Sequence, residues 1–175
     1  MAVDTFASGS ALRSEETAER SSVYEQGLFA GAIGAATIAL WFLVVDLVNG
    51  RPLFTPSVLG TALFQGADAV TAPERVPVSF EMVVVFTWIH VLVFVVLGIA
   101  AALLLELAER NQNLGFGIVL FFVVFEFGFV AVTTVFAQPL LETLTLAKVL
   151  FGNLLAAAAM GAYFWRAHPR LVIEP

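Results

Sequence analysis

The sequence has no cysteine. Disulfides, thiolate zinc sites, Cys-ligated iron–sulfur clusters and Cys nucleophiles are therefore excluded within the chain. Charge is scarce as well. Only 13% of the 175 residues are Asp, Glu, Lys or Arg, about half of what a soluble domain uses (~25%). Basic residues are the rarer sign, 8 against 14 acids, for a net charge of −6. Lys148 is the single lysine, and it stands inside an apolar stretch. No basic run resembles a nucleic-acid footprint, so no nucleic-acid partner is expected. Within residues 1–26 no basic segment leads directly into an apolar run. A secretory signal has that order, so the first apolar segment is expected to stay in the mature protein.

What remains is apolar. Hydrophobic residues make up 60% of the chain, with 17 Phe and a mean hydropathy of +0.94. Too little polar sequence is present to cover a buried core of that size. The composition predicts an all-α integral membrane protein. Four segments reach the roughly 20 residues that a helix needs to cross about 30 Å of hydrocarbon. They lie near 27–48, 80–105, 115–136 and 144–165. Lipid offers no partner for free backbone groups, so each is expected to be a helix. Barrel strands would alternate polar and apolar residues and be half as long.

The expected architecture is an antiparallel bundle of these four spans. Arg13, Arg20, Arg110, Arg166 and Arg170 fall on one side of it, and Arg51 and Arg75 on the other. The positive-inside rule then puts both termini in the cytoplasm, with a bacterial inner membrane as the expected location. The polar, acidic stretch 1–26 reads as a partly disordered tail, and 167–175 as a second, short tail. The long outer loop, 49–79, opens with the turn sequence Asn49-Gly50-Arg51-Pro52. Thr55 and Pro56 resemble a cap and first residue of a short amphipathic helix over 56–65, lying on the interface or plugging the bundle mouth.

Ionisable groups at membrane depth are the best functional candidates, because burying them is expensive. Glu126 lies about 16 Å into the third span, near the midplane, and His90 reaches a similar depth in the second. Thr87 and Thr133 share their faces. The four would form a partly polar seam. It could relay protons, hold a haem or another metal, orient a polar substrate, quinone or lipid, or simply fix helix register with one hydrogen bond. No cofactor is expected. A bis-imidazole haem needs a second His, and His168 lies at the wrong depth. Toward the outer side, Asp46 and Lys148 match in depth and form a candidate ion pair. Glu81 and Glu142 stand at helix starts, where the dipole favours a carboxylate; with Asp46 they are the only conceivable metal cluster. No Glu-x-x-His, His-Glu-x-x-His, P-loop or Gly-x-Ser-x-Gly motif occurs.

Small residues mark packing faces. Gly27, Gly31, Ala35 and Ala39 recur every four residues in the first span, and Gly152, Ala156 and Gly161 lie in the fourth. Such residues let helix backbones approach in lipid. Rings surround the third span, more than a small interior can hold. The leading expectation is a structural or accessory membrane subunit that homo-oligomerises or packs against other membrane subunits. A small proton-coupled transporter or channel is the first alternative. A redox or lipid-modifying enzyme using His90 and Glu126 is the second.

Overall fold

A computed structural model describes residues 2–110, 120, 123–124, 127–128 and 145–167. The expected third span, with Glu126 and Thr133, lies outside the described residues apart from 120, 123–124 and 127–128. Every element described is helical. They are α1 (Ala2–Val48), α2 (Phe54–Gln65), short 3-10 turns at Ala67–Val70 and Pro73–Arg75, α3 (Phe80–Arg110) and α4 (Leu146–Ala167). Among the described residues, three segments are long and apolar enough to cross a membrane: Ser21–Val48, Phe80–Glu109 and Leu146–Ala167. The protein is thus an all-α, membrane-embedded helical bundle.

α1 runs unbroken from Ala2 to Val48. Residues 2–26 contain no proline and a single glycine, with four Ala and four Glu among them. These are strong helix formers, and nothing in the stretch breaks a helix that the span behind it already nucleates. The other end of α1 is closed by Gly50, whose φ of 69° is left-handed. The Gly50 N–H donates to the Leu47 carbonyl and the Arg51 N–H to the Asp46 carbonyl. This is a Schellman cap, and Pro52 follows where the helix cannot continue. Ser79 caps α3, its hydroxyl accepting from the Met82 N–H at 3.4 Å.

α1 and α3 pack with their backbones touching. A β-carbon at Gly98 would overlap the backbone of Gly27 and Gly31, and one at Gly31 the backbone of Phe94 and Val95. Gly27 meets Ile99 in the same way. Along these contacts residue numbers fall on α3 as they rise on α1. α4 follows the same rule against α1: Gly34 meets Met160, and Gly152 meets Ile38 and Trp41. Three apolar clusters fill the length of the bundle. Val23, Ala30, Ala102, Leu105 and Phe164 form one end. Ala35, Ile38, Phe94 and Ala156 form the middle. Phe54, Val58, Val70, Val76 and Val149 form the other end, where α2 and the loop behind it close over the helices.

α2 starts two residues before the position expected for it, and Thr55 is not its cap. Leu53, at φ 63°, stands at the N-cap position, and its own side chain makes no capping bond. The face that α2 buries is also more polar than anticipated: Thr55, Ser57, Gly60 and Thr61 point inward beside Phe54 and Val58, while Leu63 and Phe64 are exposed. Ser57 explains the inversion. Its hydroxyl accepts from the Ser79 N–H at 2.8 Å and donates to the Pro77 carbonyl at 3.3 Å. Gly60 lets α2 reach the backbone of Met82.

The same substitution should have opposite effects on two of these faces. Gly98→Ala is expected to destabilise by ~1–3 kcal/mol through overpacking. Gly161→Ala, where no atom of the described residues lies within 4 Å, should be neutral or gain up to ~1 kcal/mol of helix propensity. Unfolding in mixed detergent–SDS micelles measures both. Equal shifts would contradict the α1–α3 contact.

Candidate functional site

At mid-bundle, His90 is half-buried between α1 and α3. Its Nε2–H donates to the Ala35 carbonyl at 3.1 Å. That carbonyl lies inside α1, and its second lone pair accepts the cross-helix donor. Phe94 tilts against the imidazole at 4.8 Å and Phe86 stacks at 5.8 Å. Thr87 does not join His90 in a seam. Its hydroxyl donates to the Val83 carbonyl of its own helix at 2.7 Å. With Nε2 engaged, the ring offers only Nδ1 to a metal or a proton. The other half of the expected site, Glu126 and Thr133, lies outside the described residues.

The richer constellation stands where α1 turns into α2. Asp46 is buried, and each carboxylate oxygen accepts from Thr55. The Thr55 N–H reaches Oδ2 at 2.7 Å and the Thr55 hydroxyl reaches Oδ1 at 2.7 Å. The Thr55 N–H is one of the unsatisfied donors in the first turn of α2. Asp46 thus caps α2 from the last turn of α1, nine residues back along the chain. An acid at a helix start is also favoured by the dipole.

This geometry revises the expected Asp46–Lys148 ion pair. The depths agree and both residues line one cavity, yet no ion pair joins them among the described residues. A partner nine residues away wins over one on another helix because its position is fixed by the same tight turn. Trp41 makes the contact with α4 instead, its Nε1–H donating to the Lys148 carbonyl at 2.9 Å. Its indole lies over Gly152 and 4.7 Å from the Phe151 ring.

The cavity has a volume of about 230 Å³. Phe42, Val45 and Phe54 give it apolar walls, and Asp46, Asn49, Arg51, Thr55, Glu74 and Lys148 give it polar ones. Arg51 is held on two sides. Its guanidinium sits 3.9 Å over the Phe54 ring, and one nitrogen donates to the Val76 carbonyl at 3.1 Å. Arg51, Glu74 and Asn49 were not among the residues singled out from the sequence as a site. The Asn-Gly-Arg-Pro turn was the available signal, since it folds Arg51 back over the end of α1. Among the described residues no three His, Asp or Glu side chains are grouped to hold a metal; Glu142 lies outside them.

Of the small residues expected at packing faces, Gly27, Gly31, Ala35, Gly152 and Ala156 are buried between helices. Ala39 and Gly161 are exposed. No protein-family model, curated protein or solved structure matches this chain.

Two substitutions separate capping from packing. Asp46→Ala strands a buried N–H and a buried hydroxyl, at a cost of about 3 kcal/mol. Hydrogen exchange across the first turns of α2 should accelerate; unchanged protection would rule out the cap. His90→Phe removes one interhelical hydrogen bond from an aromatic stack. Such bonds average ~0.6 kcal/mol in membranes, so the unfolding free energy should drop by less than about 1 kcal/mol. A much larger loss would mean that His90 does more than join α1 to α3.

Proposed function

We propose that the protein is a structural or accessory membrane subunit, working as a homo-oligomer or as one chain of a larger membrane complex. The observation that carries this reading is the outer ridge of α3. Phe80, Val84, Trp88, Leu92 and Val96 are all exposed, Trp88 by 73%. They stand two residues out of phase with His90, Phe94, Gly98 and Ala102, which face α1. A two-residue offset is about 200° around a helix, so the ridge points away from α1. Trp88 lies about 12 Å along α3 from its start, deeper than the interfacial belt where a lone Trp usually sits. A second chain would cover a large ring at that depth.

The wider architecture we propose is the antiparallel four-span bundle, with both termini cytoplasmic. α3 ends in the cluster that holds Val23 and Phe164, whereas α4 begins in the cluster that holds Phe54 and Val58. The 34 residues of 111–144 have to carry the chain back across that length. This supports one further crossing there. The α1 start, Arg110 and Arg166 all belong to one end, which the positive-inside rule assigns to the cytoplasm. A conducting path is disfavoured between α1 and α3, because their backbones touch at Gly27, Gly31 and Gly98.

Native mass spectrometry of the protein drawn from its own membrane in mild detergent tests the assembly. The expected spectrum shows a multiple of 18.8 kDa or a complex with another chain, and Trp88→Ala should weaken it. A monomer alone, at every detergent concentration that keeps the protein folded, would overturn the reading.

A further inference from the structure

We propose that the cavity between α1, α2 and α4 binds a singly charged phosphate group, held by Lys148 and Arg51. At this depth the natural carrier is a phospholipid headgroup; inorganic phosphate shares the chemistry. The cavity's volume of about 230 Å³ is far above the roughly 15 Å³ that one ordered water needs. It has room for a polyatomic anion.

The lining asks for one. Lys148 is half-buried in the first turn of α4, and its ammonium has no acceptor among the described residues. A cation is unfavourable at a helix N-terminus, where the dipole end is already positive. The cost rises at the edge of hydrocarbon, where neither carboxylate of the cavity forms an ion pair with it. An anion in the cavity relieves both penalties. Arg51 adds a fork of N–H donors, of which the Val76 carbonyl takes one. The Phe54 ring beneath the guanidinium holds it in place, and a fixed fork suits phosphate oxygens.

The two carboxylates set the charge of the guest. Asp46 directs both oxygens to Thr55, and Glu74 is exposed. Each still repels an anion. Two cations against two acids leave the lining formally neutral, which disfavours a dianion and tolerates a monoanion such as a phosphodiester. Phe42, Val45 and Phe54 would meet the glycerol end of a lipid. Just beyond Asp46, Leu47 and Val48 are exposed on α1, Val48 by 82%. They offer acyl chains an apolar surface at the height of the headgroup.

The test uses the full chain in mild detergent and native mass spectrometry. The probes are dioleoylphosphatidylglycerol, dioleoylglycerol and inorganic phosphate. Phosphatidylglycerol should bind, and dioleoylglycerol, which has the same chains without the phosphate, should not. Lys148→Met should weaken phosphatidylglycerol binding about tenfold or more, the usual size of one charged hydrogen bond. Lys148→Arg should restore it. The Trp41 bond uses the Lys148 backbone carbonyl, so the unfolding midpoint of Lys148→Met should stay near that of the parent. Arg51→Gln is the second variant and should also weaken binding. Inorganic phosphate binding with the same Lys148 dependence would support the phosphate site and make the free ion its source. Phosphatidylglycerol affinity unchanged in both variants, equal binding of dioleoylglycerol, or no binding of any probe would overturn the proposal.

Discussion

The close approach of α1 and α3 at Gly27, Gly31 and Gly98 is the constraint from which the rest follows. Lipid tails are as apolar as Leu, so helices in a bilayer gain little by burying apolar surface against each other. Dispersion contacts and a few hydrogen bonds must hold them together, and both demand short distances. Three glycines bring the two backbones into contact and fix the register. That register sets His90 against the Ala35 carbonyl and Phe94 against Ala35, Ile38 and Ala156. It also fixes the height at which α3 begins, and hence where α2 must lie to reach Met82 through Gly60.

The second determinant is the economy of polar groups at the α1–α2 corner. Asp46 serves two helices. Its carbonyl receives the Arg51 N–H that closes α1, and its carboxylate receives the two donors of Thr55 that open α2. A buried carboxylate is tolerated when its oxygens are hydrogen-bonded. Here the bonds come from the first turn of a helix whose dipole also favours negative charge. Ser57 repeats the pattern one turn on, tying α2 to the extended segment before α3. The helix at the bundle end is therefore anchored by polar contacts on its inward face. This explains why its apolar Leu63 and Phe64 are left outside.

The spans near 27–48, 80–105 and 144–165 were legible from length and hydropathy, because a bilayer imposes both on any helix that crosses it. The packing faces were legible only in part, and the helical period explains the remainder. A four-residue step advances about 400°, so each step drifts about 40° from the last. Gly27, Gly31 and Ala35 stay on the face toward α3; by Ala39 the drift is about 120°, and Ile38 takes the buried position. Gly161 is nine residues from Gly152, which is about half a turn out of phase. Asp46 and Lys148, expected at one depth, line one cavity. Depth alone cannot choose between a neighbour in space and one along the chain, and Thr55 was the nearer donor. The continuous α1 had a local cause too. Residues 2–26 hold no proline and a single glycine, so nothing interrupts a helix that extends the span.

Polar chemistry is unevenly placed along the described bundle, and that asymmetry bears on function. At mid-depth the side chains that bond across helices, His90 and Trp41, donate to backbone carbonyls. They join helices, and their donors are used in doing so. At the α2 end two cations, two acids and an amide converge on one cavity, and Lys148 keeps an ammonium without an acceptor among the described residues. Glycine contacts that allow close packing also remove space, so the α1–α3 seam has no room for a guest. Recognition then belongs at the end, where α2 closes over the helices and the bilayer changes from hydrocarbon to headgroup. A rigid core with its free charge at one interface suits a chain that holds a lipid or a neighbour in place better than one that must open and close around a solute.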